Sequence, residues 1–277
     1  MSDKRTLSDV EAMERDILTA RRKALWRPFM RAVREYRLIR PGDRIAVCVS
    51  GGKDSMLLSV LFRLLKARYD IPFEVVYLFM DPGYSPEVRG QIVQNAGRLG
   101  IPFTLVESDV FEAAATQDSR PCFMCARMRR GCLYRHAQAM DCNKIALGHH
   151  FDDVIETTLM AMLYGGQVQA MPPMLRAKHF PGMRLIRPMY MIRERDIIAW
   201  RDDYGLSFPR CACRFSQNPG DSKRQAVKAL IAALDRDNPK VSVNIFNSIH
   251  TVQLDTLVGW KHRGVSHSFL EEMDEEN

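Results

Sequence analysis

The sequence lacks any apolar run that approaches the length needed to cross a bilayer. Its first residues, Met1-Ser2-Asp3-Lys4, do not lead into the apolar core of a signal peptide. Internal repeats and low-complexity segments are also absent. We therefore expect a cytoplasmic protein with no membrane partner, in which the 277 residues form one large α/β domain with short extensions, or one domain and a small second one.

A disulfide framework is not expected either, because cytosolic thiols are kept reduced. The seven cysteines are informative through their spacing. Cys122 and Cys125 form a CxxC pair near the start of a predicted helix, and Cys211 and Cys213 lie in a later loop. Four thiolates could enclose a structural zinc ion and three could hold a [4Fe-4S] cluster with one open iron, and the spacing does not separate these alternatives. A place in the core or on the surface is expected for Cys48, Cys132 and Cys142.

Carboxylates are scarce in two strongly basic segments of a chain whose net charge is +7. Between residues 15 and 40, nine arginines and lysines stand against Asp16 and Glu35 alone. A predicted helix would place Arg27, Arg31 and Arg34 on one face, which is either a solvated surface or a surface that faces RNA. Between residues 119 and 136 five arginines occur with no carboxylate, a field that would attract RNA phosphate and hold a negatively charged cluster: Arg120, Arg127, Arg129, Arg130 and Arg135.

From residue 44 onward, short apolar runs alternate with helical stretches. This alternation predicts an α/β fold with an open parallel sheet covered by helices on both faces. The predicted strands are 45–49, 75–79, 103–106, 144–147 and 185–188, and the predicted helices are 55–68, 86–99, one beginning near 152, and 222–234.

The segment between the first strand and its helix does not match the mononucleotide loop of kinases, because no glycine precedes a Gly-Lys-Ser/Thr triplet by four residues. It reads instead Ser50-Gly51-Gly52-Lys53-Asp54-Ser55. Glycines let the main chain approach a ligand closely, and the backbone N–H groups at a helix start bind anions, with two serine hydroxyls and the Lys53 ammonium as further donors. The segment predicts a phosphate site, and a turn without a ligand is the alternative.

A second polar group, residues 148–153, follows the strand predicted at 144–147. Its side chains are expected at the carboxyl edge of the sheet, where open α/β folds bind ligands. We expect Asp152 to hold magnesium or a substrate group, and a helix cap with ordinary surface charges is the alternative.

The loop Ser50–Ser55 resembles the PP-loop of the N-type ATP pyrophosphatases, whose pattern is Ser-Gly-Gly-x-Asp-Ser. Further motifs make residues 25–230 similar to the tRNA 2-thiocytidine synthetases: Cys122-x-x-Cys125-Ala126-Arg127-Met128-Arg129-Arg130-Gly131, Cys142 to His150, Tyr164-Gly165-Gly166 and Ala170-Met171-Pro172-Pro173. The resemblance implies an adenine nucleotide alpha hydrolase-like fold. It also implies a tRNA-cytidine 2-sulfurtransferase that uses ATP, Mg²⁺ and a [4Fe-4S] cluster, and that thiolates cytidine 32 of the anticodon loop after activating its C2 oxygen as an adenylate.

The resemblance also implies roles for individual residues. Asp54, Lys53 and Asp152 would be catalytic. The nucleotide would be bound by Ser50, Gly51, Gly52, Lys53, Asp54, Ser55, Met80, Gly148, His149 and Asp153. Cys122, Cys125 and Cys211 would hold the cluster, with Cys213 as the alternate third ligand, because the chain reads Cys211-Ala212-Cys213-Arg214-Phe215-Ser216-Gln217 where the family pattern is Cys-x-x-Cys-Gly-Ser-Gln.

The resemblance implies tRNA and a sulfur donor as partners, the donor being a cysteine desulfurase or free sulfide, and a homodimer is the assembly considered. We expect a basic N-terminal helical segment at 1–43, an ATPase domain with the CxxC insertion at 44–210, and a cysteine loop with a helical extension at 211–277. The alternative function is a PP-loop enzyme that thiolates another nucleoside or acts on a small molecule, with structural zinc. The intact loop argues against a third hypothesis, a non-catalytic RNA-binding or redox-sensing protein.

Overall fold

A six-stranded sheet forms the centre of the computed structural model, which describes residues 8–108, 121–208 and 219–274. The strand order is β3-β2-β1-β4-β6-β5. All neighbouring strands are parallel except β5, which pairs antiparallel with β6 at one edge. The strands are β1 Arg44–Val49, β2 Glu74–Asp81, β3 Thr104–Glu107, β4 Lys144–Ala146, β5 Met174–Arg176 and β6 Arg184–Ile186.

Helices pack on this sheet in unit 1, residues 1–228. They are α1 Asp9–Leu18, the π-helix Arg22–Trp26, α2 Arg27–Glu35, α3 Lys53–Arg68, α4 Pro86–Arg98, α5 Pro121–Ala139, α6 Phe151–Gly165, α7 Glu194–Asp203 and the first part of α8 Pro219–Asp237. The basic N-terminal helical segment expected at 1–43 is divided in the structure into α1, the π-helix and α2. The division occurs because the N–H groups of Thr19 and Arg21 both donate to the carbonyl of Asp16, which ends α1 before the π-helix begins.

Strand β1 lies in the middle of the sheet and shows how the two faces are covered. Ile45, Val47 and Val49 belong to one buried cluster, which they share with residues of α3. Ala46 and Cys48 belong to another, which they share with residues of α5. Because successive side chains of a strand point to opposite faces, helices cover both faces of the sheet, as the sequence predicts.

Unit 2 covers residues 229–277 and contains the end of α8, α9 Val241–Ser248, the 3₁₀ turn Leu254–Thr256 and α10 Leu270–Asp274. It also contains a hairpin, β7 Gly259–His262 and β8 Val265–Ser268. Arg263 and Gly264 turn this hairpin with φ angles of 52° and 89°, as a tight two-residue turn requires. The boundaries predicted at residues 43 and 210 stay a prediction.

Within the parts of the chain that the structure describes, no helix combines the length and the apolar character that a bilayer span requires.

A buried ion pair joins the start of β1 to the start of β4. Lys144 is 1% exposed, and its Nζ donates to the carbonyl of Leu38 at 2.8 Å and to the carboxylate of Asp43. Asp43 also accepts from the backbone N–H of Arg40 at 2.5 Å and from Nδ2 of Asn143 at 2.9 Å. Burial lowers the pKa of Lys144, so the ammonium depends on this set of acceptors for its charged state.

Replacement of Asp43 by alanine should destabilise the fold by about 3 kcal/mol or more, because the substitution leaves a buried ammonium without its counterion. Urea unfolding followed by circular dichroism measures the change. Glu74→Ala is the control, since the Glu74 side chain is 63% exposed and pairs with Arg44 at the surface. Its expected effect is about 1 kcal/mol or less. Equal losses in the two variants would contradict the assigned importance of the buried pair.

Candidate functional site

The loop between β1 and α3 can be formed only with glycine at position 51. Gly51 has a φ of +84°, which side chains other than glycine rarely adopt. A Cβ atom at this position would also lie 2.6 Å from Cγ1 of Ile92 in α4. Both constraints fix the direction in which the chain leaves β1 and enters α3.

Serine hydroxyls hold the loop closed. Oγ of Ser55, in the first turn of α3, accepts from the backbone N–H of Ser50 at 3.0 Å and from the Ser50 hydroxyl at 3.1 Å. The Ser55 hydroxyl itself donates to the carbonyl of Gly52 at 3.0 Å. The loop is therefore organised by its own side chains, with its shape set before any anion arrives.

Gly148, which follows β4, packs directly on this loop. A Cβ atom at position 148 would lie 3.0 Å from the carbonyl carbon of Asp54 and 3.1 Å from the backbone nitrogen of Ser55. Any larger residue would push the two segments apart. The two polar groups singled out in the sequence, 50–55 and 148–153, thus meet at the carboxyl edge of the sheet.

Lys53 lies between two carboxylates. Its Nζ is 3.1 Å from Oδ1 of Asp54 and 3.1 Å from Oε1 of Glu194 at the start of α7. Burial lowers the pKa of Lys53, but Asp54 and Glu194 raise it more, so the ammonium stays charged. Glu194 also pairs with Lys228, and although burial raises its pKa, the two lysines lower it to about 2.

Asp54 has one buried oxygen without a hydrogen bond. Its Oδ1 accepts no hydrogen bond of regular geometry from a described residue, but it lies 3.1 Å from Nζ of Lys53 and 3.8 Å from Nε2 of His150. Burial raises the pKa of this carboxyl, more than the nearby Lys53 and His150 lower it. The Lys53 ammonium is the cation that faces this oxygen in the structure, so a metal ion bound to Asp54 would share the carboxylate with Lys53 or displace it.

His150 and Asp153 cap α6 reciprocally. Nδ1 of His150 accepts from the Asp153 N–H at 3.4 Å, and Oδ2 of Asp153 accepts from the His150 N–H at 3.1 Å. Asp153 is also bonded to Arg224 at 3.0 Å. Burial lowers the pKa of the adjacent His149 to about 4, so this imidazole is uncharged at neutral pH, and its Nδ1 is buried without a partner among the described residues.

Asp152 does not line the cavity beside the loop. Its Oδ2 accepts from the backbone N–H of Glu194 at 2.6 Å, and Oδ1 is 3.6 Å from Nε of Arg193. The carboxylate therefore caps the start of α7 and connects α6 to it. The catalytic role predicted for Asp152 stays a prediction, and of the two adjacent aspartates Asp153 is the one that lines the cavity.

A cavity of about 330 Å³ opens where these segments meet. The loop contributes Ser50, Asp54 and Ser55 to its walls, and the turn after β4 contributes Gly148, His149 and Asp153. Met80, predicted as a nucleotide contact, lines it from β2. The apolar part of the lining consists of Cys48, Val49, Leu133 and Leu147. Its mixed lining and its place beside the loop suit an adenosine whose phosphates lie toward the loop.

A second cavity, of about 560 Å³, lies on the other side of Asp54. It is lined by Gly52, Lys53 and Asp54, and by Glu194 and neighbouring residues of α7 and the segment after it. Of the loop residues predicted to bind nucleotide, Gly51 alone borders neither cavity, because its role is to set the turn.

Three charged residues of the site escaped the sequence predictions of site residues. Arg129 of α5 lines the nucleotide-sized cavity and donates to the hydroxyl of Tyr84 at 3.4 Å. Glu194 holds Lys53, and Arg224 holds Asp153. The sequence signal for Arg129 was its place in an arginine-rich segment without carboxylates. No sequence signal pointed to Glu194 or Arg224, because they reach the site from distant segments.

The predicted cluster ligands lie largely outside the described residues. Cys211 and Cys213 fall in the segment 209–218, which is not described. Cys122 and Cys125 belong to the first turns of α5, and their side chains are not part of the description. Arg129 follows Cys125 by four residues, so the CxxC backbone lies about one helical turn from the residue that lines the cavity.

Comparison with known proteins adds to this geometry. The PP-loop domain family matches residues 25–211. The chain is 38% identical over 229 residues to the tRNA-cytidine(32) 2-sulfurtransferase of Alkalilimnicola ehrlichii, covering 80% of this chain and 71% of that protein. It is 35% identical over 246 residues to the enzyme of the same name from Anaeromyxobacter sp. strain K, covering 87% and 83%.

Among solved structures, the U34-tRNA thiolase NcsA from Methanococcus maripaludis, determined with its [4Fe-4S] cluster, is similar with a TM-score of 0.62. The likeness covers 81% of this chain and 77% of that one at 21% identity, which supports the fold. The family resemblance drawn from the motifs is confirmed by the family match and by the curated relatives. The chain belongs to the PP-loop family and, within it, to the tRNA 2-thiocytidine synthetases.

Proposed function

We propose that this protein is an ATP-dependent tRNA sulfurtransferase that forms 2-thiocytidine at position 32 of the anticodon loop. The names of the curated relatives supply the substrate class. The observation that carries the proposal is the preformed loop Ser50–Ser55, which places the Asp54 carboxylate against a cavity of adenosine size. A cytoplasmic location and a homodimer remain expectations.

In the first step, ATP lies with its adenosine in the cavity and its β- and γ-phosphates on the loop. The C2 oxygen of the cytidine attacks the α-phosphorus, an O–P bond forms, and pyrophosphate leaves. Backbone N–H groups at the start of α3 and the Lys53 ammonium stabilise the charge that develops on the leaving group. Lys53 would exchange one of its carboxylate contacts for a phosphate oxygen.

Asp54 would hold Mg²⁺ through Oδ1, which the Lys53 ammonium faces at 3.1 Å in the structure and would release when Lys53 turns to a phosphate oxygen. In the described residues, no group of three or more His, Cys, Asp and Glu side chains is arranged to bind a metal ion. An ion held by one carboxylate, phosphate oxygens and water matches the usual coordination of Mg²⁺ in nucleotide enzymes. The ion supplies charge neutralisation on the phosphates, and the chain fixes its position through Asp54.

In the second step, sulfide attacks C2, the C–S bond forms, and the C2–O bond breaks with AMP as the leaving group. The adenylate makes this displacement feasible, since AMP is a far better leaving group than the original oxygen. Cys122, Cys125 and Cys211 would hold a [4Fe-4S] cluster, which would supply an iron able to bind the incoming sulfur. A cysteine desulfurase or free sulfide is the proposed donor.

Asp54→Ala should abolish AMP and pyrophosphate formation, with a decrease of at least about a hundredfold, because it removes the carboxylate proposed to hold Mg²⁺. Radiolabelled ATP with substrate tRNA gives the readout, and iron content should stay at the wild-type level. Asp237→Ala is the control, because Asp237 is an exposed aspartate of α8 far along the sequence from the loop. Unchanged AMP release in Asp54→Ala would remove Asp54 from the mechanism.

Cys211→Ala should lose bound iron whereas Cys213→Ala should retain it, because the family spacing counted back from Ser216-Gln217 selects Cys211. Anaerobic iron and sulfide analysis with absorption spectroscopy measures the content. Cys132→Ala is the control on α5, where the thiol is free and half-buried. The reverse result at 211 and 213 would reassign the ligand, and zinc in place of iron would favour a structural site.

Deletion of the gene should abolish 2-thiocytidine in cellular tRNA, and the intact gene should restore it whereas the Asp54→Ala gene should not. Mass spectrometry of tRNA nucleosides tests the reaction and the substrate class together. If 2-thiocytidine persists in the deletion strain, the cytidine assignment is wrong. Loss of a different thiolated nucleoside would then identify the alternative substrate.

A further inference from the structure

An arginine-lined groove lies away from the loop, at the other end of α3. It encloses about 850 Å³ between the π-helix, α2 and the carboxyl end of α3. Five arginines line it together with a single carboxylate, that of Glu35: Arg22, Arg27, Arg31, Arg34 and Arg68. From the sequence alone, the arginines of α2 could form either a solvated surface or a surface that faces RNA.

Most of the positive charge in the groove is not neutralised. Glu35 pairs with Arg31 at 2.9 Å, and Asp16, the other acid of the basic segment, pairs with Arg21. No described carboxylate forms an ion pair with Arg22, Arg27, Arg34 or Arg68, and all four are exposed. Arg68 also lines an adjoining depression with two carboxylates that have other partners: Glu14 pairs with Arg63 at 2.6 Å, and Glu11 accepts from the backbone N–H of Ser8 at 2.9 Å.

The fold sets the backbone positions from which these arginines extend. Arg27, Arg31 and Arg34 line one side of α2, while Phe29, Ala32 and Val33 of the same helix are buried in the core. The π-helix adds Arg22 and Trp26 to the lining. An extra residue per turn is uncommon in helices and occurs frequently at functional sites.

Aromatic side chains complete the groove. Trp26 is half-buried and stacked on Phe29 with a centroid distance of 5.8 Å, which fixes its ring. Tyr69, also half-buried, follows α3 on the opposite wall. Unpaired guanidinium groups beside fixed aromatic rings are the combination with which proteins hold nucleic-acid backbone and unstacked bases.

The groove is separate from the adenylation site. Helix α3 has 16 residues, begins with Lys53 and ends with Arg68, which separates the loop from the groove by about 24 Å along its axis. The two sites share no lining residue. A ligand that occupies the groove while its reacting atom lies at Asp54 must therefore be an extended polyanion.

We propose that this groove binds the sugar-phosphate backbone of the tRNA substrate at a point distant from the nucleotide that is modified. The inference rests on the proposed function, since it assigns tRNA to both sites. The arginines contact phosphates, and Trp26 packs against sugar or base. An acidic membrane surface fits less well, because the apolar side chains are recessed: Leu65 is buried, and Met30 and Trp26 are half-buried behind the arginines.

The test compares two triple variants of the full-length protein that each lose three positive charges. Arg27→Ala/Arg34→Ala/Arg68→Ala removes unpaired groove arginines, and Arg236→Ala/Lys240→Ala/Lys261→Ala removes exposed basic residues of unit 2. Thermal unfolding should match wild type in both, because all six side chains are exposed. Affinity for unmodified substrate tRNA is measured over a series of salt concentrations.

The groove variant should bind tRNA about tenfold or more weakly, and its slope of log K against log salt should decrease by about two to three, one for each lost phosphate contact. Its KM for tRNA should rise similarly, while kcat at saturating tRNA stays within about twofold of wild type. Hydroxyl-radical footprinting should show loss of a protected backbone segment away from cytidine 32. The control variant should keep the wild-type footprint and affinity.

Unchanged affinity and footprint in the groove variant would overturn the proposal, as would equal losses in both variants, which would indicate a general charge effect. If the groove variant lost binding to phosphatidylserine vesicles but bound tRNA as wild type does, the groove would be a site for another polyanion and the proposal would also be wrong. A different result would contradict the proposed function itself: a wild-type protein that neither binds nor thiolates tRNA. If the wild-type protein thiolates tRNA and the groove variant binds and thiolates it equally well, only the proposal for the groove is wrong.

Discussion

The close approach of Gly148 to the backbone of Asp54 and Ser55 is the contact on which the site depends. It brings the turn after β4 against the loop after β1, and it is possible only because Gly148 carries no side chain. Parallel neighbours in a sheet place their carboxyl ends at one edge, but they do not by themselves bring two turns to van der Waals distance. With this contact made, His149, Asp153 and Asp54 share one cavity.

Charge balance in the site follows from that packing. Lys53 has two carboxylate partners, Glu194 has two lysine partners, and Asp153 has an arginine partner, so most charges are matched before a nucleotide binds. Among the described residues of the site, Nδ1 of the uncharged His149 imidazole is a buried polar atom without a hydrogen-bond partner. Binding of ATP and a divalent ion would then rearrange a connected set of ion pairs. Glu194 of α7 pairs with both Lys53 and Lys228 of α8, so a change in the contacts of Lys53 would alter the ion pairs of α7 and α8.

The sequence was sufficient for the parts of the fold that depend on local patterns. Apolar runs flanked by turns predicted the central strands, and the loop was identified because backbone conformation, glycine and helix start are all encoded within six adjacent residues. The edge strand Met174–Arg176 and the hairpin of unit 2 were missed because short strands with exposed residues carry little apolar signal. Helix periodicity also concealed the break before the π-helix, which depends on two N–H groups that share one carbonyl.

Within the site, sequence reasoning could not decide between adjacent aspartates. Asp152 and Asp153 differ by about 100° around the start of α6, and only the packing of α7 determines that Asp152 caps α7 while Asp153 faces the cavity. The roles of Arg224 and Glu194 could not be predicted for a related reason, because each acts through a partner that is far away in the sequence. Tertiary packing assigns these roles, and no local pattern anticipates it.

Helix α3 links the two surfaces to which RNA is assigned. Its first turn contains the end of the loop Ser50–Ser55, and its last turn contributes Arg68 to the groove. Its buried residues, including Leu57 and Phe62, make it a rigid element of the core. A rigid spacer of this length sets the distance between a point where the RNA backbone is held and the point where one base reacts. Placement of phosphate contacts fixes the register of a nucleic acid without reading its sequence. Selection of one cytidine would then follow from geometry, because a nucleotide at the wrong distance from the groove could not bring its C2 oxygen to the α-phosphorus of ATP.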